Sequence, residues 1–164
     1  ARVVPLRNMG AAISPMNAWL ILQGLETLPL RMDRICENTL AVAQFLASHP
    51  KVEWVDYAGL PGHVDHVVAQ RLLGGKASGL MTFGVKGGRS AGERFLDALQ
   101  LFTRLVNIGD TKSLATHPAS TTHRQLSPEE LARAGVKEET VRLCVGIEDI
   151  DDLRADLTQA LEKT

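Results

Sequence analysis

Cysteine is nearly missing from this sequence. Cys36 and Cys144 are the only two, far apart, and they form no C-x-x-C pair and no cluster of ligands. A disulfide framework is excluded on that count, and both are expected to be reduced thiols of a cytosolic protein. A surplus of one charge is missing too. Eighteen Lys and Arg stand against 19 Asp and Glu, a formal net charge of -1. No broad basic face can form on that balance, so no nucleic-acid partner is expected. No apolar run approaches the roughly 18 residues that a membrane span needs, so no membrane partner is expected either. The opening Ala1-Arg2-Val3-Val4-Pro5 lacks the apolar core of a signal peptide. It also lacks an initiator Met, from which the chain is expected to begin within a longer protein.

What is present is ordinary globular material. Hydrophobic residues make up 45% and charged residues 23% of the 164 residues, close to the averages of folded domains. Disorder, collagen and low-complexity repeats do not describe such a chain, and its length can hold a core without disulfides or a structural metal.

Apolar residues recur at helical steps through Met16, Leu20, Leu28, Met32, Ile35, Leu40 and Ala43. This predicts a long helical element over 14–48, capped by Ser14-Pro15 and kinked or broken at Pro29. Val52 to Tyr57 reads as a strand, and residues 64–73 as a helix stopped by Gly74-Gly75. Residues 79–85 read as a buried strand. Ser90 and Glu93 have capping-box spacing ahead of a helix through Phe95, Leu99 and Phe102. Leu105 to Ile108 reads as a short strand ending at Gly109, and residues 114–117 as another. Ser127-Pro128-Glu129-Glu130 is a second capping box, opening a helix that Gly135 closes. Residues 140–145 read as a strand, and 150–161 as an amphipathic helix. Strands alternating with helices after a long leading helix predict an α/β or α+β sandwich, with helices covering one face of the sheet.

His63 and His66 have H-x-x-H spacing but no obvious third ligand, so the start of a surface helix is the better reading and no metal is expected. Gly79 to Gly84 has the first spacing of a phosphate loop, but Val85 stands where that motif needs Lys. Asn107 closes an apolar run just before Gly109, where strand ends often face a site, although by itself the position reads first as a capping or turn Asn. Arg142 sits in the otherwise apolar Val141–Val145. Burying a guanidinium is costly unless an anion meets it, and its planar fork suits a carboxylate. Strand alternation alone permits that reading or an edge strand with Arg142 facing solvent.

Longer stretches carry a resemblance. Gly10 to Trp19, Leu22 to Met32, Tyr57 to His63, Lys112 to His123 and Val141 to Asp149 resemble, in that order, the Cys/Met metabolism PLP-dependent enzymes. Phe83 to Gly88 and Asn107 to Asp110 look most like the O-acetylhomoserine sulfhydrylase branch, whereas the lyases and cystathionine synthases of the family typically have Ser where Asn107 stands.

The resemblance implies the small C-terminal domain of the aspartate-aminotransferase-type fold. That means a mainly antiparallel sheet with helices on one face, after an interdomain helical segment at 1–48, with the substrate-carboxylate domain at 49–164. It implies pyridoxal 5′-phosphate as cofactor, held as an electron sink for loss of acetate from O-acetyl-L-homoserine and addition of sulfide to give L-homocysteine. Arg142 would bind the α-carboxylate of the amino-acid substrate. Asn107 and Ile108 would complete that pocket, and Thr122 would stand close by. A cystathionine γ-synthase, cystathionine γ-lyase or methionine γ-lyase is the alternative within the family, and a stand-alone interaction module the alternative outside it. None of Lys51, Lys76, Lys86, Lys112, Lys137 and Lys163 sits in the family's cofactor-lysine motif. The PLP domain is therefore expected to be a missing partner, and the chain alone to be inactive. The parent is expected to be a cytoplasmic homo-oligomer, a tetramer by resemblance. The apolar face around Met16, Trp19 and Leu20 is expected to associate with another surface.

Overall fold

The computed structural model describes residues 4–10, 12–121 and 124–164. It divides into two compact units, Ala1–Leu30 and Arg31–Thr164.

The first unit holds α1 (Pro5–Met9) and α2 (Pro15–Glu26). Ser14 is extended and its Oγ accepts the Asn17 N–H at 3.2 Å, while Pro15 fills the first helical position, where its missing N–H costs nothing. None of the α2 side chains is buried. The predicted break falls at Thr27, and α3 (Leu28–Ser48) begins at once with Pro29 in its first turn.

The second unit is built on one five-stranded sheet in the order β1-β2-β5-β4-β3. The strands are β1 (Val52–Asp56), β2 (Leu80–Val85), β3 (Thr103–Arg104), β4 (Leu114–Thr116) and β5 (Thr140–Cys144). Every pairing is antiparallel except β3 with β4. Alternation gives the sheet two different faces. Met81, Phe83, Val85, Val141, Leu143 and Val145 turn to one side and form the core. There they meet Val42, Ala43 and Leu46 of α3, Ala91 and Phe95 of α5 (Gly88–Ala98), and Leu153, Leu157 and Leu161 of α7 (Ile150–Glu162). Phe83 and Phe95 pack edge to face, centroids 5.5 Å apart. The other face carries Trp54, Asp56, Thr82, Arg142 and Thr116, and no helix of the core cluster covers it. The α/β sandwich with helices on one face is therefore the observed fold.

Two local expectations differ from the structure. Ser90 does not cap a helix. Gly87, in the left-handed region at φ 107°, turns the chain three residues sooner, α5 starts at Gly88, and Ser90 lies inside it accepting from Arg94. The box failed because Gly87-Gly88 supplies the turn through backbone freedom, without a side-chain cap. Residues 105–108 are not a strand. β3 ends at Arg104, and Leu105, Val106 and Ile108 are exposed on an irregular segment. The parallel pairing stops at Arg104 with Ala115 although β4 runs on to Thr116, so apolar, β-branched composition alone does not hold residues 105–108 in the sheet. Helix α5 also ends early, at Ala98, with Leu99 extended and Phe102 beyond it, and elsewhere the elements stand close to expectation. α4 (His66–Leu73) stops at Gly74 in the left-handed region. In α6 (Pro128–Arg133) the second box closes both ways, Glu130 N–H to Ser127 Oγ at 3.3 Å and Ser127 N–H to Glu130 Oε2 at 2.8 Å.

Two polar anchors hold the unit together. The buried Asp156 of α7 accepts the N–H groups of Gln100, Leu101 and Phe102 at 2.8, 2.9 and 3.0 Å, fixing the turn between α5 and β3. Lys51 places its Nζ on the Leu161, Glu162 and Thr164 carbonyls, capping the C-terminal end of α7.

His117, directly after β4, is fully buried. Its Nε2–H donates to the Glu138 carbonyl at 2.8 Å and its Nδ1 accepts from Ser120 Oγ at 2.9 Å. A Cβ on Gly92 would lie 2.5 Å from Nε2, so α5 approaches the ring only because a glycine faces it. Burial outweighs the Glu138 carbonyl and pushes this imidazole below its ordinary value of 6.5. The unfolded chain then binds the proton more tightly than the native one. The stability tied to the neutral ring is complete above about pH 6.5 and is lost as pH falls below it. His49, lowered by burial as well, acts in the same direction. Thermal melts at about pH 7.5 and about pH 5.5 are expected to show a lower midpoint in acid, and H117Q to show a smaller difference between the two.

Candidate functional site

The uncovered face of the sheet is where polar chemistry gathers. Across four neighbouring strands Asp56, Thr82, Arg142 and Thr116 lie in register as one row. They line a cleft of about 630 Å³ that also takes in Trp54 and Lys137. Gly84 lets the Trp54 indole lie flat on the sheet, for a Cβ there would stand 2.3 Å from Nε1. The indole N–H donates to Glu139 at 3.0 Å, and Lys137 Nζ sits 4.8 Å from the ring centroid. Two cations and one carboxylate thus face this cleft, and Asp56 is already engaged by His63 at 2.6 Å. The balance favours an anion.

Arg142 is half-buried. Its Nη2 donates to the Asn107 carbonyl at 3.3 Å and lies 3.6 Å from Cys144 Sγ. Its Nε is shut away from solvent and has no hydrogen-bond partner among the described residues. A desolvated guanidinium that the protein leaves incompletely paired is a group that an anionic ligand can satisfy.

Asn107 meets Arg142 through its backbone. Its side chain turns inward on its own loop, Oδ1 accepting the Ile108 N–H at 2.9 Å and Nδ2 donating to Asp110 at 3.2 Å. Asp110 also accepts the Lys112 N–H at 3.1 Å. Those bonds, the Lys112 N–H foremost, hold its carboxyl below the usual carboxylate range. Ile108 is exposed beside Gly109, which adopts φ 77°. Thr122 lies outside the described residues. So Arg142 and Asn107 are in direct contact, and Ile108, next in the chain, lines the small cavity beside Cys144.

The loop is tied down from behind. Glu148 accepts the Ser113 N–H at 2.6 Å and the Ser113 hydroxyl at 2.9 Å. Ser113 Oγ accepts the Gly146 N–H at 2.8 Å, and Asn38 Nδ2 donates to the Gly146 and Glu148 carbonyls. A Cβ on Gly146 would lie 2.3 Å from the Thr111 carbonyl, which fixes how closely this loop can approach β5.

Sequence reading missed Cys144, whose thiol donates to the same Asn107 carbonyl at 2.8 Å. The signal was available, since residues two apart on a strand share a face and Arg142 was already singled out. Trp54 and Lys137 gave none, because their meeting depends on the β1–β2 and β2–β5 pairings. The histidine pair holds no metal-like geometry. His63 Nδ1 accepts the Asp65 N–H, and His66 Nδ1 is 3.0 Å from the Ala58 carbonyl. Among the described residues no group of three His, Cys, Asp or Glu could hold a metal ion. No helix among them is long and apolar enough to cross a membrane.

Residues 2–162 match the Cys/Met metabolism PLP-dependent enzyme family. The chain belongs to this family. It is 53% identical over 161 residues to an O-acetyl-L-homoserine sulfhydrylase of Thermus thermophilus, covering 98% of this chain and 38% of that protein. It is 49% identical over 162 residues to an L-methionine gamma-lyase of Pseudomonas putida, covering 98% of this chain and 40% of that protein. A crystal structure from Campylobacter jejuni, described as an O-acetylhomoserine (thiol)-lyase and containing N′-pyridoxyl-lysine-5′-monophosphate, superposes with a TM-score of 0.88 at 46% identity. That match covers 98% of this chain and 38% of the other. The chain thus spans about two-fifths of the length of the family members it matches. Relatives with different reactions stand at similar identity, so the family is certain and the reaction within it is not decided by likeness alone.

Proposed function

We propose that this chain is the substrate-carboxylate domain of a PLP-dependent O-acetyl-L-homoserine sulfhydrylase, a transferase making L-homocysteine from O-acetyl-L-homoserine and sulfide. The observation that carries the reading is Arg142. It is a half-buried guanidinium on the open sheet face, with one nitrogen unpartnered among the described residues and another leaning on the Asn107 carbonyl. Its fork accepts a carboxylate through two parallel bonds. By the resemblance, Asn107 with Ile108 beside it completes that pocket, and Thr122 is a further candidate close by. Holding the α-carboxylate fixes the direction of the substrate Cα–H bond, which is the orienting share of catalysis.

Pyridoxal phosphate, when bound, supplies the electron sink. None of the six lysines of this chain sits in the family's cofactor-lysine motif. Lys51 and Lys86 are spent on backbone carbonyls, Lys76 on Asp33, and Lys137 on the Trp54 ring. We place the cofactor-bearing lysine in the larger part of the enzyme, beyond this chain, and the whole enzyme in the cytoplasm as a homo-oligomer, by resemblance a tetramer. Asn107, standing where lyases and cystathionine synthases typically carry Ser, supports the sulfhydrylase over those reactions.

The test is product analysis with the full-length enzyme. O-acetyl-L-homoserine with sulfide is expected to give L-homocysteine faster than cysteine gives the thioether, and faster than L-methionine is cleaved to a keto acid. Dominant cleavage of L-methionine would move the chain to the γ-lyases.

A further inference from the structure

The wall of the carboxylate pocket is a backbone carbonyl, and two donors compete for it. Arg142 Nη2 stands 3.3 Å from the Asn107 oxygen and Cys144 Sγ stands 2.8 Å from it. Cys144 is buried, and its immediate neighbours are this carbonyl, the Arg142 guanidinium 3.6 Å away, and a small cavity of about 100 Å³ shared with Ile35, Ile108 and Gly109. Burial raises its pKa and outweighs the guanidinium, so the thiol keeps its proton and remains a donor. A substrate carboxylate arriving at Arg142 draws on the Nη2 that the Asn107 carbonyl had been using. Without a second donor that carbonyl would lose its partner as the substrate binds, at the cost of an unpaired polar group.

We propose that Cys144 is a positioning residue for substrate binding, which holds the Asn107 carbonyl through its thiol while Arg142 turns to the substrate carboxylate. This rests on the assignment of Arg142 as the carboxylate ligand. The residue acts through Asn107 and Arg142 and does not touch the reacting atoms. The 2.8 Å separation is short for sulfur and matches the usual span of an O–H···O bond. A serine hydroxyl, whose oxygen sits about 0.4 Å nearer its Cβ than the sulfur does, would stand roughly 3.2 Å from that carbonyl and still reach it as a donor.

The test compares C144A, C144S and R142A in the full-length enzyme loaded with its cofactor. Each is read by KM and kcat for the amino-acid substrate and by thermal midpoint. C144A is expected to raise KM about five- to twentyfold with kcat changed less than about twofold, and C144S to bring KM back to within about twofold of the parent. Where C144A fails to fold, C144V keeps the side-chain bulk without the donor and is read in its place. A lower melting point in C144A with KM unchanged, while R142A raises KM, would assign Cys144 to packing and overturn the proposal alone. An unchanged KM in R142A would overturn the carboxylate assignment itself. Failure of C144S to restore KM would show that hydrogen donation is not what matters.

Discussion

Replacement of Arg142 by alanine in the full-length enzyme is expected to raise KM for the amino-acid substrate by roughly a hundredfold or more. Two charge-assisted bonds to a carboxylate are lost, each worth about 1.5–3 kcal/mol, and each 1.4 kcal/mol is about tenfold in affinity. R142K is expected to recover only a small part. An ammonium is a point charge and cannot present the parallel pair of donors. The two readouts separate binding from folding. The Arg142 Nε has no partner among the described residues, and the Asn107 carbonyl that its Nη2 meets keeps the Cys144 thiol as a donor, so little stability is tied to the guanidinium. Melting of R142A is therefore expected to stay close to the parent while KM rises. Steady-state kinetics beside a thermal melt check both, and a KM within about twofold of the parent would remove Arg142 from the site.

The second large effect concerns stability. D156A is expected to cost about 3–5 kcal/mol, lowering the thermal midpoint by roughly 6–20 °C. The carboxylate accepts three consecutive backbone N–H groups, at Gln100, Leu101 and Phe102, and its Oδ1 also takes the Gln159 amide at 2.9 Å. Truncation strands those donors, and water reaches the Phe102 N–H poorly because that residue is buried. D156N keeps one acceptor oxygen and is expected to lose less. Chemical denaturation of the two variants checks the order, and equal losses would mean that charge, rather than acceptor geometry, holds this turn.

How much of this was legible beforehand follows the range of the interactions involved. Short-range signals read correctly. Ser14-Pro15, the Ser127 and Glu130 box, Gly74 and the apolar spacing of α3 and α7 each act within a few residues. Leu105 to Ile108 misread because strand formation needs a neighbour to pair with, and the parallel β3–β4 pairing lasts only two residues. Ser90 misread because the glycine pair ahead of it turns the chain without a side-chain cap. At the site, Arg142 was visible as a charge out of place, but periodicity left both of its faces open. Only the Thr82, Arg142 and Thr116 register settles which side it takes. Asp156 gave no local sign, because its partners lie 54–56 residues away, whereas Cys144 shared the face of Arg142 by strand parity and only its partner, 37 residues away, was hidden.

The row of Asp56, Thr82, Arg142 and Thr116 constrains how the gene can change. Removing or adding a single codon within β5 would flip the parity of everything beyond it, turning the guanidinium in among the helices and presenting leucine to the substrate. Two codons restore the parity but shift every rung of the ladder. Lineages descended from this protein should therefore vary in length at the turn after α6 or in the α4 loop, and keep an unaltered residue count between Thr140 and Cys144.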